Sequence, residues 1–306
     1  MTDPTGNAPA PTSAATSAML AVEVRYRPRV PATVITAHIR ANLAPRHAEL
    51  QLGSARAGTI LIAGGGPSLI HALGEIGAAQ RDGAKLLAVN EVPHLLAGHG
   101  IRPWAAAHVG PVDLTIHSLG APITGVRYYM ASICPPEAFR RLIGHEVVMW
   151  HPSVDGLGEA MRAAGAAPAA GFVGGGYTVV LRCLRMAAVL GFRSIALYGG
   201  DSSFSGEFHA YRSVADDIGY HRLTVDCAGQ RFTTSPELLG QALAFPDLRS
   251  ALAAEGVTIE VHGEGLLPHL AALADGVGTI PPVRLVEGDA ELDTARGVAV
   301  ISAEMF

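Results

Sequence analysis

Apolar residues in this chain fall into short unbroken runs separated by stretches with helical spacing. Thr59-Ile60-Leu61-Ile62-Ala63 and Leu86-Leu87-Ala88-Val89 are two such runs, the first ending in glycines and the second in Asn90. Runs of this length flanked by turn residues predict strands buried on both faces, as in a parallel sheet. Between them Leu69, Leu73 and Ile76 recur at the spacing of one helix face. Strand, glycine turn, helix and strand make a βαβ unit, which requires parallel pairing and a right-handed crossover.

The alternation continues. Ala32 to Leu50 has helical spacing interrupted by Pro45, and Trp104 to Val109, Val126 to Ala131 and Val147 to Trp150 predict further strands. Thr178 to Leu190 predicts a helix leading into a strand at Ser194 to Tyr198, and Pro236 to Glu255 a helix before a strand at Val257 to Val261. Together these elements predict an α/β fold with a single doubly wound, mainly parallel, Rossmann-like sheet and helices on both faces. Residues 1–30, rich in Ala, Pro, Ser and Thr, are expected to be a disordered tail; 31–275 form the α/β domain and 276–306 a C-terminal extension.

Composition narrows the function. With 306 residues, 49% hydrophobic and 16% charged, the chain can bury a full core without staples. The net charge is −5 and the 22 Lys and Arg are scattered, which argues against polymeric nucleic acid as a partner. Three widely separated cysteines match neither a disulfide framework nor a zinc site, so a reducing cytoplasm is expected. The N-terminal segment lacks the basic start and apolar run of a signal peptide, and no later run is long enough to span a bilayer.

Candidate chemistry gathers at the strand ends. Gly64-Gly65-Gly66-Pro67-Ser68 stands where a buried strand meets a helix, so backbone N–H groups there could face a phosphate. It is neither a Walker A loop nor a complete dinucleotide fingerprint, because Leu69 stands where the third glycine belongs. Asn90 closes the next strand at the edge where open α/β sheets bind ligands. Gly174-Gly175-Gly176-Tyr177-Thr178 is a second glycine cluster opening a helix, and Gly199-Gly200-Asp201 puts a carboxylate at the same edge of the sheet. His209, eight residues later and close to Tyr211, is a candidate general acid or base.

In this order the pieces resemble the 6-hydroxymethylpterin diphosphokinase MptE-like family, which shares its domain with the motility-associated-factor (Maf) glycosyltransferases. The carriers are Asn42 with Pro45, the block from Ile60 to Leu69, Asn90, Gly100-Ile101-Arg102-Pro103, and the segment Gly191 to Asp201 followed by His209. A more distant similarity runs to bacterial sialyltransferases of GT-A-like fold. That likeness implies that Gly66, Ser68, Asn90, Thr178 and Asp201 contact a donor nucleotide; Ser203 replaces the tyrosine those enzymes use on the leaving phosphate, and Tyr211 is a substitute.

Three functions stay open on the resemblance. One is glycosyl transfer from a nucleotide-activated sugar, sialic-acid-like sugars included, to a small or partner-supplied acceptor, with His209 assisting the leaving phosphate or the acceptor hydroxyl. Another is pyrophosphoryl transfer from ATP to a hydroxymethylpterin, with Trp104, Tyr128 or Tyr177 stacking on the pterin. Magnesium is implied only by this second reading, in which Asp113 is a displaced metal ligand. The third is a nucleotide-binding protein without catalysis.

Overall fold

The computed structural model describes residues 21–305 except 154–156, 164–170, 207, 210–211, 214–220, 279, 294–295 and 297. The first part of the chain runs β1 (Ala21–Pro28), α1 (Ala32–Leu43), β2 (Ala48–Glu49), β3 (Arg56–Ala63), α2 (Leu73–Arg81), β4 (Lys85–Val89), α3 (Val92–Gly98) and β5 (Ala105–His108). It continues through α4 (Leu114–Leu119), β6 (Arg127–Ala131), α5 (Pro136–Arg141), β7 (Glu146–Trp150), α6 (Leu157–Ala163), α7 (Val179–Val189), β8 (Phe192–Tyr198), β9 (Phe208–His209) and β10 (Arg212–Ser213). Last come β11 (Leu223–Cys227), β12 (Gln230–Thr234), α8 (Pro236–Ala254), β13 (Thr258–Val261), α9 (Leu266–Val277), β14 (Arg284–Glu287), β15 (Glu291–Asp293) and β16 (Val298–Met305).

Among the described residues, eight strands form one sheet in the order β13-β8-β3-β4-β5-β6-β7-β2. Every neighbouring pair is parallel. The apolar runs are its centre: Ile60 to Ala63 and Leu86 to Val89 are each at most 2% exposed. This is the expected α/β architecture.

Strand order locates the site. From β3 the chain steps outward through β4, β5, β6 and β7, then returns to β8 on the other side of β3 and moves on to β13. The onward connections of β3 and β8 therefore diverge, which opens a crevice at their carboxyl ends, the position where open α/β sheets bind ligands.

A second sheet corrects the expectation of one. Its order is β12-β11-β14-β1-β16-β15, and β1 pairs in parallel with β16 from Ala21↔Val298 to Pro28↔Met305. The expected tail over 1–30 therefore contains a strand, and the expected extension over 276–306 supplies three more. Val22, Val24 and Tyr26 alternate with Glu23, Arg25 and Arg27, a period of two that suits a sheet with one covered face. Helix α8 covers β1 and β16. At their contact the Tyr26 hydroxyl lies against Gly240, where any side chain would overlap it.

Candidate functional site

The two glycine-rich strand ends meet face to face. Gly64 N–H donates to the Tyr198 carbonyl and Gly66 N–H to the Gly199 carbonyl, each at 2.8 Å. A Cβ on Gly64, Gly66 or Gly199 would run into the opposite loop, and Gly199 has φ +60°. These glycines are therefore required by the crossing of two backbones, before any ligand is considered.

Asp201 completes the crossing. Its carboxylate accepts the Ser68 backbone N–H at 2.7 Å and the Ser68 hydroxyl at 2.5 Å. Burial raises its pKa to about 6; the two Ser68 bonds oppose that shift and the nearby Glu264 charge adds to it. Ser68, expected to hold a phosphate, thus has both donors engaged by the chain's own carboxylate.

Above this crossing lies a cleft of about 380 Å³, within the range of small-molecule sites. Gly65, Gly66, Asn90, Tyr177, Thr178, Gly199 and Ser203 line it, so the structure brings together seven of the residues singled out in the sequence. Gly64, Pro67, Ser68, Gly200 and Asp201 are not among the lining residues. Gly175 and Gly176, at φ +104° and +110°, shape the turn into α7, and a Cβ on either would strike Leu181. His209 lies on β9, opposite Arg212 of β10; its side chain and all of Tyr211 fall outside the described residues.

Two features of the cleft floor favour a ligand. Asn90 and Ser202, both non-glycine, hold left-handed φ values of +51° and +54° after β4 and β8, the strands on either side of β3. Such conformations are retained where surrounding contacts enforce them. Ser202 is held by Gln241, whose amide donates to its hydroxyl at 2.9 Å, and by Thr234, whose hydroxyl donates to its carbonyl at 2.8 Å. The N-terminus of α7 also points here: Thr178 caps it by accepting the Leu181 N–H, and its first-turn residues Val179 and Val180 line the cleft. First-turn N–H groups of this kind, at the positive end of the helix dipole, suit an anion.

The opposite wall was not foreseen. It comprises Tyr26 and Arg29 at the end of β1, Glu237 and Gln241 on α8, and Glu304 on β16. The Tyr26 and Tyr177 rings lie 3.9 Å apart between centroids at 34°. Glu237 accepts the Ser235 hydroxyl at 2.9 Å and the Glu304 backbone N–H at 3.3 Å, while Arg29 pairs with Glu304 at 3.4 Å. The sequence marked the helix that carries Glu237 and Gln241 and the alternation in β1, but nothing in it joined the two.

Other sequence markers are structural. Asn42 is buried and donates to the carbonyls of Ser132 and Cys134, clamping α1 to the loop after β6. The Tyr128 hydroxyl accepts the Ile123 N–H, and Trp104 packs under Arg127; neither lines the cleft, so of the three aromatic residues only Tyr177 does. For magnesium, Asp113 stands at the start of α4 outside the cleft lining and both Asp201 oxygens are engaged. Among the described residues no three His, Cys, Asp or Glu side chains converge on a metal position. The described residues do not make a magnesium site of their own. Nor is any described helix long and apolar enough to cross a membrane.

A family model described as 6-hydroxymethylpterin diphosphokinase MptE-like matches residues 36–207. Among solved structures, the MAf glycosyltransferase from Magnetospirillum magneticum AMB-1 is similar at a TM-score of 0.54 and 17% identity, over 81% of this chain and 42% of that one. The chain thus spans less than half of that protein's length, and the likeness is one of fold. No curated protein sequence matches the chain.

Proposed function

The chain belongs to the 6-hydroxymethylpterin diphosphokinase MptE-like family, and from that membership we propose that it is a nucleotide-dependent transferase, a glycosyltransferase using a nucleotide-activated sugar. The observation that carries the reading is the cleft at the β3/β8 switch point, with Gly65, Gly66 and the start of α7 on one side of it. Nucleotide phosphates there would meet the Gly65 N–H and the N-terminus of α7, and Asn90 is placed to fix a ribose or base. The fold shared with the MAf glycosyltransferase supports sugar transfer as the chemistry.

In this reading Asp201 acts through Ser68, holding the glycine loop in place, and His209 assists the leaving phosphate. Developing charge on that phosphate is what such a site must stabilise. The pyrophosphokinase alternative is supported by the family description and by the Tyr26–Tyr177 pair, which could stack on a pterin.

A thermal-shift panel of CMP, CDP, UDP, GDP and ATP, with magnesium or with EDTA, tests the proposal, because a ligand of the native state raises its Tm. One nucleoside mono- or diphosphate should raise Tm in EDTA. Stabilisation by ATP alone, and only with magnesium, would favour the kinase; no shift from any nucleotide would remove both. His209→Ala should keep Tm and nucleotide affinity while turnover falls about 10²–10⁴-fold, the usual loss of a general acid or base.

A further inference from the structure

The two walls of the cleft differ in origin and in the groups they present. The glycine wall and the start of α7 lie within residues 36–207, the span that matches the family. Tyr26, Arg29, Glu237 and Glu304 lie outside it, brought in by the pairing of β1 with β16 and by the first turn of α8. We propose that this second wall is the acceptor subsite, that it takes a neutral polyhydroxylated, sugar-like molecule, and that Glu237 takes the proton of the attacking hydroxyl. The inference rests on the glycosyltransferase reading.

Donor groups assign the walls. Arg29 is paired with Glu304, so with Glu237 the second wall carries one net negative charge. The first wall also holds a carboxylate, Glu91, but it presents the Gly65 N–H and the first-turn N–H groups of α7 to a phosphate, which the second wall does not. The phosphates therefore belong on the glycine wall, and the second wall is left for the other substrate. Its chemistry suits a sugar: the C–H face of a pyranose is apolar and lies flat on an aromatic ring, while its hydroxyls donate to carboxylates.

The parts are held in place. Tyr26 is fixed at its hydroxyl by Gly240 and across its ring by Tyr177. Glu237 is held by Ser235 and by the Glu304 backbone, one hydrogen bond to each carboxylate oxygen. Each oxygen keeps a further acceptor direction for a substrate hydroxyl. In the reaction, the acceptor oxygen forms a bond to the donor's anomeric carbon as the bond from that carbon to the phosphate oxygen breaks. The electron pair leaves with the nucleotide phosphate, and the hydroxyl proton passes to Glu237 and then to solvent.

Saturation-transfer NMR on the full chain, with methyl β-D-galactopyranoside, methyl α-D-glucopyranoside and glucose 6-phosphate as probes, tests the subsite directly. At least one methyl glycoside should receive saturation at its ring C–H protons, and glucose 6-phosphate should receive less than a third as much. Tyr26→Ala should abolish the signal and leave the nucleotide-induced Tm shift intact; Tyr177→Ala, at a more exposed position, gives the same reading if the first variant folds poorly. A nucleotide shift without any glycoside signal in the parent protein overturns the subsite and leaves the transferase reading standing. Loss of the nucleotide shift in both tyrosine variants also overturns it, because the pair would then belong to the base. If no nucleotide shifts the parent protein, the transferase reading falls, and the glycoside signal, read without nucleotide, still decides the subsite. Glu237→Gln should keep both binding signals and lower sugar transfer from the identified donor about 10²–10⁴-fold; unchanged transfer removes Glu237 as the base.

Discussion

The Asp201 carboxylate receives both the backbone N–H and the hydroxyl of Ser68, so the ends of β3 and β8 are joined by a side chain as well as by backbone hydrogen bonds. Burial nevertheless raises the pKa of Asp201 from 3.8 to about 6, which means that desolvation outweighs the two bonds. A carboxyl whose folded pKa lies above its unfolded value binds protons more tightly when folded, so its contribution to stability is present below about pH 4 and lost as pH rises through about 6. Two units at about 1.4 kcal/mol each set a ceiling near 3 kcal/mol. In Asp201→Asn that dependence is absent, and urea stability measured at pH 4 and pH 7 should show the parent losing ground to the variant on the alkaline side. An unchanged difference between the two proteins across that range would refute the shift.

Glycines on either side of the crossing should respond differently to substitution. Gly199 has φ +60° and its Cβ would strike the Gly64 carbonyl, so Gly199→Ala should lower stability by more than about 1 kcal/mol. Gly65 lines the cleft and is not at positive φ, so Gly65→Val should fold normally and lose nucleotide affinity. Retained affinity in a folded Gly65→Val protein would move the phosphates elsewhere.

How legible these features were follows from how local their causes are. Strands β3, β4 and β8 are buried on both faces and so appear as unbroken apolar runs, and the turn residues after them mark the site's edge. The start of α7 at Thr178 was readable because the glycine cluster and the helix it opens adjoin in sequence. The β1–β16 pair was not, since its partners stand 277 residues apart at Ala21 and Val298, β1 alternates with charges instead of forming a run, and nothing local joins it to the apolar run Val298 to Ile301 of β16. With that pair missed, Tyr26 and Glu304 could not be placed at the cleft. The bond between Ser68 and Asp201 was equally hidden: each residue was singled out, but for a ligand, and nothing in two segments 133 residues apart says that they will meet each other instead.

Asn42 separates a structural marker from a functional one. Its amide donates to two carbonyls, of Ser132 at 2.9 Å and Cys134 at 2.8 Å, in a buried setting. Asn42→Ala leaves those groups without this donor and should cost about 1–3 kcal/mol. Nucleotide affinity per folded molecule should not change, because the contact lies beyond β6 and outside the cleft lining. A variant of normal stability with weakened binding would reverse that assignment.

His108 and Asp201 should oppose each other across the acid range. His108 closes β5, is 1% exposed, and its pKa is lowered from 6.5 to about 3 by burial, with the nearby His94 adding to the shift. A histidine depressed in this way binds protons more tightly when unfolded, so its contribution is present above about pH 6.5 and lost as pH falls towards 3. Between pH 7 and pH 4 that loss amounts to about 3 kcal/mol at most. Over the same interval Asp201 gains a similar amount on protonation, so the two nearly cancel and the parent protein should be almost flat in stability for these two residues. Removing one exposes the other: Asp201→Asn should lose stability on acidification and His108→Gln should gain it, while the double variant returns close to the parent's slope. Urea titrations of the four proteins at pH 4, 5.5 and 7 measure this directly. Parallel slopes in all four would mean that neither buried group titrates as its surroundings dictate.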